Sequence, residues 1–111
     1  MSLSTHALDT ARGRPAEGLP VELEQRTDQG WVSLRRGVTN EDGRVPGFSD
    51  GLEMTQATYR MTFDTGAYFA ASGVEGFYPV VRVVFEVRAP EEHHHVPLLI
   101  SPYGYSTYRG S

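Results

Sequence analysis

The chain contains no cysteine, which excludes a disulfide framework, a thiolate metal site and a thiol nucleophile. It contains no run approaching the roughly 20 apolar residues that span a bilayer, so no membrane partner is expected. Basic blocks are missing too. Ten basic against fourteen acidic residues leave a formal charge of −4, and no Lys/Arg cluster is long enough to track a phosphate backbone, which argues against nucleic acid. The opening "MSLSTHALDT" lacks the basic start and apolar run of a secretory signal. A soluble, cytoplasmic protein is therefore the expectation. Gly-x-Ser-x-Gly elbows, phosphate-binding glycine loops and dinucleotide fingerprints are likewise absent, and no cofactor is expected.

What remains is a 111-residue chain, a length that suits one domain covering residues 1–111 with a single packed core. Its dominant pattern is alternation with period two, which sends successive side chains to opposite faces of a strand. In "ATYRMTFDT", Tyr59, Met61 and Phe63 share one face, while Thr58, Arg60, Thr62 and Asp64 take the other. "VELEQR" and "WVSLRRGVT" alternate in the same way on either side of the turn "TDQG". "VVRVVFEV" is apolar on both parities, so cover is expected on both faces. Further strands are expected at "LSTHALDT", "HHVPLLI" and "YGYSTYRG". About seven to eight short strands separated by turns predict an antiparallel β-sandwich. "TGAYFAASG", alanine-rich and closed by Gly73, predicts one short helix.

The final stretch "SPYGYSTYRGS" carries Tyr103 and Tyr105 on one parity and Tyr108 on the other. One sandwich face cannot receive both, and a second copy of the chain is the expected neighbour.

With cysteine absent, the side chains that titrate near neutral pH are His6, His93, His94 and His95. On a strand, His93 and His95 share a face and His94 points away. Two imidazoles without a third ligand at a recognisable spacing make a weak zinc site, and no metal is expected. His6 alternates with Leu8 in the first strand, and Arg44 follows the Asp-Gly turn of "TNEDGR". Taken alone, a histidine such as His6 is more often a structural residue than a catalyst, and Arg44 after a turn means little.

Taken together, they resemble a known family along nearly the whole chain. "HALD", "RGRPAEGLPVEL", "TNEDGR", "YRMTFDTGAYF", "GFYPVVRVVFEV" and "HVPLLISPYGYSTYRGS" follow one another in a sequence that is similar to the 5-hydroxyisourate hydrolases. These form the enzymatic branch of the transthyretin family and act after urate oxidase in purine breakdown. Hormone-carrying transthyretins share the fold of that branch but lack the terminal "YRGS" and the two histidines of "HALD" and "HVPLL". Two positions depart from the hydrolase pattern: His94 where a tyrosine is common, and Val80 where a glutamate often follows "FYP".

The resemblance implies a transthyretin-like β-sandwich with one short helix, assembled as a homotetramer with sites in a channel at the dimer–dimer interface. It implies hydrolysis of the six-membered ring of 5-hydroxyisourate without a cofactor. His6, Arg44, His95 and Ser111 fall on its catalytic positions, and His6, Arg44, Tyr108, Arg109 and Gly110 on its substrate-binding positions. A neutral imidazole, of His95 or His6, would take the water proton. Arg44 and Arg109 would hold the urate-like oxygens and the developing oxyanion. The competing expectation is a carrier that binds an aromatic ligand in the intersubunit channel.

Overall fold

The computed structural model describes residues 2–111, which form a two-sheet sandwich with one helix. The elements in chain order are β1 (Ser2–Asp9), β2 (Arg14–Pro15), β3 (Pro20–Thr27), β4 (Gly30–Val38), β5 (Ala57–Phe63), α1 (Thr65–Ala71), β6 (Val81–Val87), β7 (His93–Ser101) and β8 (Gly104–Thr107). One sheet runs β4-β3-β5-β6 and the other β2-β1-β7-β8.

The alternation in the sequence decides which side chains meet between the sheets. Leu23, Tyr59, Met61 and Phe63 from the first sheet are buried with Leu98 and Ile100 from the second. Apolar burial of this kind is the main favourable term for a cysteine-free domain. Tyr59 keeps its hydroxyl satisfied inside by donating to the Thr55 carbonyl at 2.8 Å.

Helix α1 sits where the alanine-rich stretch predicts it. The Asp64 carboxylate accepts from the Ala67 N–H at 3.0 Å, capping the first turn. Gly73, at φ +70°, follows the end of the helix. Tyr68 projects from α1 to donate a 2.7 Å hydrogen bond to Asp9. Burial and that hydrogen bond to a carboxylate push the Tyr68 phenol above its ordinary pKa. Asp9 also accepts from the N–H groups of Ala11 and Arg12, both at 3.1 Å, and so turns the chain out of β1.

All strand pairings are antiparallel except β1 with β7, which run parallel in the register Ser2↔His93, Ser4↔His95 and His6↔Pro97. Hairpin turns dictate direction for β3–β4 and β7–β8, whereas no turn joins β1 to β7. The two-residue β2 was not among the expected strands. The outer face of β6 lacks the expected cover within one chain, since Val84 is 57% exposed.

Candidate active site

The outer face of the β2-β1-β7-β8 sheet carries the histidines. Leu3, Thr5, Ala7 and Asp9 of β1 point into the core, which leaves Ser2, Ser4 and His6 on the outside. On β7 the same logic buries His94, whose Nδ1 lies 3.0 Å from the Glu92 carbonyl, and turns His93 and His95 outward. The parity expected for the three consecutive histidines is what the fold displays.

Two isolated backbone bridges then bring distant segments onto this face: His6 with Arg44, and His95 with Gly110. The first depends on the turn at residues 40–44. Asn40 Oδ1 accepts from the N–H groups of Asp42 and Arg44. Gly43 adopts φ +75° and its carbonyl accepts from the Ala7 N–H at 2.8 Å. A Cβ at Gly43 would collide with the Ala7 carbonyl oxygen, so the approach needs glycine for both conformation and space. The Asp-Gly turn thereby sets Arg44 beside His6. Arg44 is exposed and has no carboxylate partner among the described residues.

The second bridge lays the tail over His95. The Gly110 N–H donates to the His95 carbonyl at 2.9 Å. A Cβ on Gly110 would lie 3.0 Å from His95 Cγ and closer still to Cδ2, so glycine here lets the backbone rest on the imidazole. Thr107 anchors the approach by donating to the Pro97 carbonyl at 2.7 Å. Tyr108 and Ser111 are exposed, and Arg109 reaches toward Glu92 at 3.8 Å. A cavity of about 260 Å³ under the tail is lined by His94, His95, Thr107, Tyr108 and Arg109. Another of about 400 Å³, bordered by Ser4, Arg44 and His93, opens on the β1 side.

His95 is held below the ordinary histidine pKa, first by burial and then by the positive charges of Arg44, His6 and His93; a hydrogen bond from its ring to the Ser4 backbone works in the opposite direction. An imidazole so placed stays neutral at physiological pH, as a general base requires. His6, Arg44, His95 and Gly110 thus come together, while Tyr108 and Arg109 line the cavity between His95 and β6. Among the described residues no group of three or more His, Cys, Asp or Glu side chains is placed to hold a metal ion.

Ser4 and Ser2 on this face escaped the sequence reading. Ser4 Oγ lies 2.7 Å from His95 Nδ1 and 3.0 Å from His93 Nε2, bridging the two rings. A serine in a strand has no distinctive spacing, and its role emerges only from the parallel register that sets it opposite His95.

Comparison with known proteins shows the family and the fold. The profile of the HIUase/Transthyretin family matches residues 3–110. A 5-hydroxyisourate hydrolase of Mus musculus is 47% identical over 111 residues, covering 98% of this chain and 94% of its own. Among solved structures, the 5-hydroxyisourate hydrolase of Klebsiella pneumoniae superposes with a TM-score of 0.86 at 40% identity, covering 98% of both chains. Sea bream transthyretin in complex with thyroxine superposes with a TM-score of 0.91 at 32% identity, covering 97% of this chain and 93% of its own.

Proposed function

The chain belongs to the HIUase/transthyretin family, and from that premise we propose that it hydrolyses 5-hydroxyisourate on the outer face of the β2-β1-β7-β8 sheet. The observation that carries the reading is the convergence of His6, Arg44 and His95 beneath Gly110 through the two isolated bridges. Water is a poor nucleophile at neutral pH, so the reaction needs a base that is unprotonated there. His95 fills that role, because burial and neighbouring positive charge favour its neutral form.

The His95 ring takes a proton from water as the oxygen adds to the ring carbonyl. Arg44 offers a planar pair of donors to the urate-like oxygens and to the oxyanion that forms at the attacked carbon. His6, bridged to Arg44, supports substrate on the same side. When the C–N bond opens, the departing nitrogen collects the proton held by the base. No resident cofactor enters this sequence of steps.

From the tail, Tyr108, Arg109 and Gly110 contact substrate, while the Ser111 hydroxyl orients water or substrate. The proposal includes a homotetramer whose sites lie in a channel between dimers. Tyr108 at 61% and Val84 at 57% exposed are apolar surface that a neighbouring copy would cover. A carrier of aromatic ligands would be served by an apolar channel; two imidazoles beside an unpaired guanidinium favour the hydrolase.

The direct test generates 5-hydroxyisourate from urate with urate oxidase and follows its absorbance. Saturable acceleration over spontaneous decay is expected. Decay at the uncatalysed rate in the presence of folded protein would overturn the reading.

A further inference from the structure

The outer face of β1 and β7 holds an unbroken row of hydroxyls and imidazoles: Ser2 Oγ against His93 Nδ1, His93 Nε2 3.0 Å from Ser4 Oγ, and Ser4 Oγ 2.7 Å from His95 Nδ1. The two rings lie nearly parallel, 16° apart with centroids separated by 6.4 Å, and Ser4 spans them. The parallel register produces this row, since Ser2 pairs with His93 and Ser4 with His95, all four side chains facing the same way.

Ser4 has one hydroxyl hydrogen and two imidazole neighbours, so it accepts from one ring and donates to the other. When it accepts from His95 Nδ1–H, it donates to His93 Nε2, and His93 Nδ1–H donates to Ser2. His95 Nε2, which forms no hydrogen bond with any described protein group, then carries the lone pair that a base needs. Reversing every bond in the row leaves a hydrogen on His95 Nε2 and removes that capacity.

We propose that Ser4 and His93 are positioning residues of a hydroxyl–imidazole relay that holds His95 as the Nδ1–H tautomer and takes up the proton it removes from water. This deepens the hydrolase reading and rests on it. As an O–H bond of water breaks, its hydrogen joins His95 Nε2 and the hydroxide adds to the carbonyl. The Nδ1 hydrogen of His95 passes to Ser4 Oγ while the Ser4 hydrogen passes to His93 Nε2. The positive charge comes to rest on His93, which is exposed and solvated, rather than on half-buried His95 beside Arg44 and His6. Ring opening returns the Nε2 hydrogen to the departing nitrogen and the row runs back.

The test combines 15N NMR of the histidine rings with turnover in wild type, Ser4→Ala, Ser4→Thr and His93→Gln, the His95 signals being assigned with a His95→Gln variant. Wild-type His95 should be protonated on Nδ1, and Ser4→Ala should lose that preference while kcat falls on the order of 10-fold or more, the scale of outer-shell losses. KM should hold, and Ser4→Thr should restore both tautomer and rate. His93→Gln retains an acceptor for Ser4 and so keeps the tautomer, but an amide cannot accept the proton, and kcat should fall. A wild-type Nε2–H tautomer, or wild-type kcat in either Ser4→Ala or His93→Gln, overturns the relay. A wild-type protein that does not accelerate substrate loss would remove the hydrolase reading instead, and the His95 tautomer would still decide which way the row runs.

Discussion

The two sheets of the sandwich bury similar side chains inward but treat their outer faces in opposite ways. On the β4-β3-β5-β6 sheet, several charges are paired. Arg60 donates to both oxygens of Glu24 at 3.0 and 2.9 Å, Thr62 adds a third bond at 3.2 Å, and the guanidinium lies 4.3 Å from the centre of the Trp31 ring. Arg36 pairs with Glu22. The hydrogen bonds from Arg60 are the largest influence holding the Glu24 carboxyl below its ordinary pKa. On the β2-β1-β7-β8 sheet, Arg44 has no carboxylate partner among the described residues, and the imidazoles of His93, His94 and His95 hydrogen-bond to hydroxyls and backbone rather than to carboxylates. Paired charges stabilise the fold and are chemically quiet. Unpaired ones stay available to a substrate.

The sharpest way to break that contrast is to remove the imidazoles. His95→Ala and His6→Ala should each lower turnover by roughly 10²- to 10⁴-fold, the usual worth of acid–base groups, with unfolding midpoints close to wild type. Near-wild-type rates in both variants would mean the free charges serve something other than catalysis.

Gly110→Ala probes the same face through space alone. Its new methyl would strike the His95 ring, and displacing the proposed base by about 1 Å should cost up to 10²-fold in rate. Steady-state kinetics on a folded variant would check this, and an unchanged kcat would show that the ring has room to spare.

The opposite sheet should respond in stability instead. Glu24→Gln leaves Arg60 largely buried without its counter-charge, and a loss on the order of 2 kcal/mol in urea denaturation is expected, with kcat and KM unchanged. Lost activity would show that the two faces are coupled.

The smallest effect concerns pH. Because the folded-state pKa of His95 is depressed, its ring stays neutral to lower pH than a free imidazole; if His95 is the base, the acid limb of kcat/KM should fall below the ordinary histidine value of about 6.5. The unfolded chain binds the proton more readily than the fold does, so the same group withdraws stability as pH drops from the ordinary value toward the depressed one. An acid limb at or above the ordinary value would point to a different base.

Legibility in the sequence divides along the same line. Period-two alternation was enough for the strands of the polar-faced sheet, because consecutive antiparallel partners and short turns leave little freedom. Its Glu24–Arg60 pair follows once β3 lies beside β5. In the other sheet, Asp9 and Gly43 shape a two-residue strand and a backbone bridge that no alternation announces. The direction of β7 against β1 was equally hidden, because no turn joins them. His6, Arg44 and His95 were singled out through family resemblance rather than spacing, since each is an unremarkable residue type in its own segment, and the structure brings them together. Ser4 was not legible at all, because its partner stands 91 positions away and only the register brings them together.

That separation has a consequence for the protein as it emerges from the ribosome. Residues 20–87 contain every strand of the polar-faced sheet, so its three antiparallel pairings can form while synthesis continues. β1 precedes the other described strands yet waits for residues 93–101 before its parallel partner exists, and the imidazole of His95 lacks its backbone cover until residue 110 follows. Pairings so distant in sequence are slow to form. A nascent chain stalled within the last strands would present an unpaired strand edge, a feature that invites association with other chains. The cluster of His6, Arg44 and His95 under Gly110 therefore assembles only after both sheets have their strands.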